Sequence, residues 1–151
     1  MGTKENINLI KARYEAVNAH DLDRFQGFYD KSIVWDDPGL PAAIKGPAAV
    51  RRRLEALTTS FPDLQWKLGR IFSQGEDICA EFTFKGTHKG ALLDARSKRS
   101  LPASNQRIQI QAVGVYTIRG NKIVDSRIYF DLASLKSQIQ RKRTRKRKSQ
   151  N

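Results

Sequence analysis

The chain has 151 residues, enough for one domain with its own hydrophobic core and too few for two of ordinary size. Its formal net charge is +13, but eight basic residues and no acidic one fall from Lys136 onward, so residues 1–135 carry only +5. No apolar run is long enough to span a membrane, the opening "MGTKENINLI" has no signal core, and the single Cys79 allows no internal disulfide, all of which points to a cytoplasmic protein.

The first third reads as helices. "NINLIKARYEAVNAHD" sets Ile7, Ile10, Tyr14 and Val17 on one face at helical spacing. "DLDRFQGFYDK" follows with Leu22, Phe25, Phe28 and Tyr29, and His20 before it is expected as an exposed residue of the connection. A short extended run, "SIVWDD", ends at Pro38. Gly46 and Pro47 then open a third helix, with Val50, Leu54 and Leu57 as its stripe and Arg51, Arg52 and Arg53 expected to fan outward. After "FPDL" the period changes to two, and "QWKLGRIFS", "DICAEFTFKGTHKG", "RIQIQAVGVYTI" and "KIVDSRIYF" are predicted strands. "QGED" and "RGN" are turn signals, and "ALLDARSKRSLPASNQ" is predicted as a long, mobile, basic loop. Asp131 opens the stripe Leu132, Leu135 and Ile139 and is predicted to cap a last helix. Helices first and antiparallel strands later imply an α+β domain over residues 1–140. Residues 141–151 form a basic tail predicted to be disordered. Its run 141–148 would contact nucleic acid or another polyanion nonspecifically.

The order "FPDL", a turn of Gly75, Glu76 and Asp77, "GTHKG", "GVYTIRGNKIV" and "DLASLKSQI" resembles the SnoaL-like polyketide cyclases. These belong to the superfamily with the fold of nuclear transport factor 2. The resemblance implies a cone of curved antiparallel sheet closed by helices around a small-molecule pocket. It also implies where that family's acid/base chemistry would sit. Its carboxylate falls at Ile128, its histidine at Gly114 and a polar partner at Ala112, so none of the three is present. A small Gly114 and an apolar Ile128 are expected to enlarge the cavity. The N-terminal half, "ARYEAVNAHDLDRF" through "WDDP", is similar to ketosteroid isomerases. That likeness makes Tyr14 an oxyanion donor and Asp37 a proton shuttle, with the second donor again falling at Gly114.

Alternation puts Trp35 and Asp37 on one side of their strand, and Phe82, Phe84 and His88 on one side of theirs. Two readings follow. In the first, a small hydrophobic ligand sits among Trp35, Phe82, Phe84, Tyr116, Ile128 and Phe130. Any reaction is then an isomerase, lyase or hydrolase step with Asp37 as base and Tyr14 and His88 as donors. In the second, the domain is a noncatalytic dimeric scaffold that presents its basic tail to a polyanion, and Asp37 and His88 are ordinary residues. A homodimer is expected through the outer sheet face, using Gln109, Gln111, Val113, Val115, Arg127 and Tyr129. No ligand spacing for a metal and no phosphate-binding glycine loop is present, so neither a metal nor another cofactor is expected.

Overall fold

Period-two alternation builds the sheet on which the rest of the fold is laid. The computed structural model of the chain describes residues 2–94 and 97–141. Most of the basic run 141–148 lies outside the described residues. In chain order the elements are α1 (Thr3–Asn18), α2 (Leu22–Gln26), β1 (Tyr29–Asp36), β2 (Ile44–Lys45), α3 (Pro47–Ser60), β3 (Gln65–Gln74) and β4 (Asp77–Thr87). They continue with β5 (Leu92–Asp94), β6 (Arg99–Leu101), β7 (Arg107–Arg119), β8 (Lys122–Phe130) and α4 (Leu132–Ile139).

Six strands form one sheet in the order β2-β1-β8-β7-β4-β3, and β5 pairs with β6 alone. All pairings are antiparallel except β1 with β8, which is parallel. Along β7 the buried set is Ile108, Ile110, Ala112, Gly114, Tyr116 and Ile118, while Gln109 and Gln111 face out, as alternation requires. A tight turn at Gly120 and Asn121, both at positive φ, joins β7 to β8. Asp131 caps α4, its side chain accepting from the Ser134 N–H at 3.2 Å. No helix among the described residues is long and apolar enough to cross a membrane.

Four expectations need correction. Tyr29 begins β1 rather than ending a helix, because Gly27 caps α2 and Tyr29 then pairs with Ile123 of β8. The predicted long loop folds back as the hairpin β5–β6, with Leu92 opposite Leu101. His20 is half-buried at positive φ, where its Nε2 meets the Leu64 carbonyl at 2.9 Å. Gly114 does not enlarge the cavity. A Cβ there would lie 2.1 Å from the Tyr116 hydroxyl, so the Tyr116 side chain folds back over Gly114 and fills the space.

Candidate ligand-binding site

The interior is divided into a filled half and an open half. Arg13 stands on the apolar stripe of α1, one turn from Ile10 and Val17, and is fully buried. Its guanidinium carbon lies 4.9–5.5 Å from the ring centroids of Tyr14, Phe25, Trp35, Trp66 and Tyr116. Its Nε donates to the Tyr29 hydroxyl at 2.8 Å and its Nη1 to the Tyr116 hydroxyl at 3.2 Å. The Tyr116 and Tyr14 hydroxyls are 2.6 Å apart. Among the described residues no carboxylate pairs with Arg13, and its Nη2 has no hydrogen-bond partner. Burial opposes the charge, but the oxygens of Tyr116, Tyr29 and Tyr14 outweigh it and hold the guanidinium above its ordinary value. Burial in turn raises all three phenols, Tyr29 to about 12, so they stay neutral hydroxyls at physiological pH.

Beyond Trp35 and Trp66 the cone opens into a cavity of about 70 Å³. Trp66 is fixed from α1, since its N–H donates to Asn18 Oδ1 at 2.6 Å and its carbonyl accepts from Asn18 Nδ2 at 3.0 Å. Phe61, Phe82, Phe84, Ile110, Ala112, Ile128 and Phe130 continue the wall. Leu92, Leu93 and Leu101 of the β5–β6 hairpin and Leu132 and Leu135 of α4 complete it. Four charged side chains line it as two ion pairs. Arg53 reaches inward from α3 rather than outward. Its Nε donates to Asp37 Oδ2 at 3.0 Å and its Nη2 to Oδ1 at 2.8 Å. Asp37 also accepts from the Trp35 indole N–H at 2.8 Å and from the Gly39 N–H at 2.7 Å. Four donors thus occupy the carboxylate's acceptor positions. The second pair, Lys136 Nζ to Asp94 Oδ2 at 2.7 Å, ties α4 to the hairpin.

A family model, the SnoaL-like polyketide cyclases, matches residues 8–139. The chain belongs to that family. No curated protein matches it in sequence. Among solved structures it is similar to a candidate SnoaL-like polyketide cyclase from Jannaschia sp. CCS1, at 16% identity and a TM-score of 0.82 over 93% of this chain and 95% of that one. An LEH-like epoxide hydrolase from M. tuberculosis matches at 20% identity and TM-score 0.69, covering 91% and 90% of the two chains. TerC, co-crystallised with polyporic acid, matches at 17% identity and TM-score 0.73, covering 91% and 99%. Proteins described as nuclear transport factor 2-like and as ketosteroid isomerase-like in fold are also similar. The α+β architecture is therefore the cone of that superfamily.

Within this SnoaL-like cone, the cavity brings together Asp37, Trp35, Phe82, Phe84, Ile128 and Phe130. Tyr14, Tyr116 and His88 do not line it. Tyr14 and Tyr116 lie behind the Trp35–Trp66 wall, bonded to each other and next to Arg13. His88 follows β4 and is fully buried against Phe61. Its Nδ1 accepts from the Ser104 N–H at 3.2 Å, which leaves the proton on Nε2, and Nε2 has no partner among the described residues. Burial lowers the His88 pKa below its usual value, so the ring is neutral. The three side chains expected to act together are not assembled, because Asp37 is bound by Trp35, Gly39 and Arg53. Arg13, Arg53, Asp94 and Lys136 are the functional candidates that pattern reasoning passed over. Arg13 and Arg53 each carried a signal, a cation three residues along an apolar stripe from Ile10 and Val50. Among the described residues no cluster of His, Cys, Asp or Glu is arranged to hold a metal.

Replacing Asp37 by Asn leaves a guanidinium that is only 14% exposed without its carboxylate. The expected cost is about 3 kcal/mol, read as a lower urea midpoint. Adding Arg53→Met should recover part of that loss, because no buried charge is then unpaired. An Asp37→Asn midpoint equal to wild type would show that the fork contributes nothing.

Proposed function

We propose that this SnoaL-like protein binds a small molecule, a flat and largely apolar ring compound, in the cavity between the Trp35–Trp66 wall and the β5–β6 hairpin. The observation that carries the proposal is the lining itself, aromatic and aliphatic on every side and broken only by two ion pairs. Such walls bind by burial, worth about 25 cal/mol per Å² of apolar area, and use a few polar groups for orientation. The crystallisation of TerC with polyporic acid in the same fold supports the reading.

Binding without the family's acid/base steps is the better supported form. Gly114 and Ile128 offer no proton at the family's positions, and Asp37 has no acceptor position left for one. If a reaction is catalysed, as an isomerase, lyase or hydrolase step, Arg53 must first release Asp37. The proposal includes a homodimer through the outer sheet face. There Phe72 of β3 and Tyr129 of β8 are 52% and 54% exposed, and Val113 and Val115 lie on β7, which with β4 stands between those two strands. A monomer by light scattering at micromolar concentration would contradict that part.

The cavity is tested with N-phenyl-1-naphthylamine, a neutral probe that brightens in apolar surroundings. Ala112 lines the cavity from β7, so Ala112→Phe fills it while circular dichroism checks the fold. Wild type should bind saturably and the variant at least about tenfold more weakly, a loss of ~1.4 kcal/mol. Equal binding by a folded Ala112→Phe protein would move the ligand out of the cavity.

A further inference from the structure

The charged groups of the cavity are not symmetric, and their asymmetry indicates what a ligand must carry. In both ion pairs the carboxylate is the more buried partner and the cation the less buried one. The side chain of Asp37 is 4% exposed against 14% for Arg53, and that of Asp94 is 8% exposed against 29% for Lys136. Asp37 is saturated by four donors, and Asp94 Oδ2 accepts from the Ser97 hydroxyl as well as facing Lys136. The cations are not saturated. Arg53 uses Nε and Nη2 on Asp37, leaving Nη1 without a partner among the described residues, and Lys136 meets one carboxylate with three donors to give. Gly39 permits this placement, since a Cβ there would lie 2.7 Å from Arg53 Nη2. The ends still able to bond are therefore N–H donors carrying positive charge, set in an apolar wall where such bonds are strengthened.

We propose that the ligand is an anion, a ring compound bearing a carboxylate, phenolate or similar oxyanion, with its charged end met by Lys136 and Arg53. This rests on the cavity being the binding site and adds the charge of the occupant. Lys136 then serves as a specificity residue as well as the link between α4 and the hairpin.

Two probes differ only in one anionic group: 8-anilino-1-naphthalenesulfonate and N-phenyl-1-naphthylamine. Dissociation constants for both are measured by fluorescence on the full chain, at low and high salt. The sulfonate should bind at least about tenfold more tightly than the neutral probe. Lys136→Met should cut that ratio at least about fivefold, whereas Lys67→Met, an exposed lysine on β3, should leave it unchanged. Asp94→Asn, which removes the competing carboxylate, should raise the ratio. That opposite sign keeps the test informative if Lys136→Met proves unstable. Equal affinity for the two probes would overturn the proposal. So would a ratio unmoved by both Lys136→Met and Asp94→Asn, or one lowered equally by Lys67→Met, which would mark adsorption to the basic surface. Loss of the neutral probe's binding altogether would instead refute the cavity as a binding site, so the two failures are distinguishable.

Discussion

A full positive charge that no carboxylate among the described residues pairs, enclosed by aromatic rings, sets the plan of this molecule. Moving a guanidinium out of water costs several kcal/mol, and here that cost is offset by two hydroxyl acceptors and five ring faces. The rings come from α1, α2, β1, β3 and β7, and Tyr29 of β1 supplies one hydroxyl, so Arg13 joins the helical layer to three strands of the sheet at one point. It also fixes Trp35 and Trp66, whose outer faces are the wall of the cavity. Packing on one side of these indoles thus shapes the space on the other.

That arrangement also fixes the surroundings of Gly114. The space beside Gly114 is taken by the Tyr116 hydroxyl that faces Arg13. A larger residue at 114 would push Tyr116 off Arg13, so the small residue at 114 and the buried cation depend on each other. The charged side chains of the cavity are the pairs Asp37–Arg53 and Asp94–Lys136. These pairs hold α3 to the β1 end and α4 to the hairpin, which encloses the apolar volume between them.

The fold was legible because its signals are local and periodic. The strands β3, β4, β7 and β8 follow from alternation, and the Asp131 cap follows from an acid before an apolar helical stripe. The wall residues Trp35, Phe82, Phe84, Ile128 and Phe130 follow from which face of each strand is apolar. What failed was long-range pairing of charge. Arg13 and Tyr116 are 103 residues apart and Arg53 and Asp37 are 16 apart, and no pattern within one element states that they meet. The hairpin β5–β6 was missed for a related reason. Its strands have three residues each and their apolar side chains face a cavity, so composition alone reads as a basic loop. Periodicity places Tyr14 and His88 on the inward face of their elements, yet depth decides their role, and depth depends on what packs in front of them.

The claim on which all of this converges is that a ligand lies directly against the Trp35–Trp66 wall. These are the only two tryptophans in the chain, so intrinsic fluorescence reports on that wall alone. The decisive measurement follows tryptophan emission while N-phenyl-1-naphthylamine is titrated in. Binding in the cavity predicts quenching of tryptophan emission, with energy transfer to the probe, saturating along the same curve as the probe's own brightening at one site per chain. Probe binding that leaves tryptophan emission unchanged would contradict it.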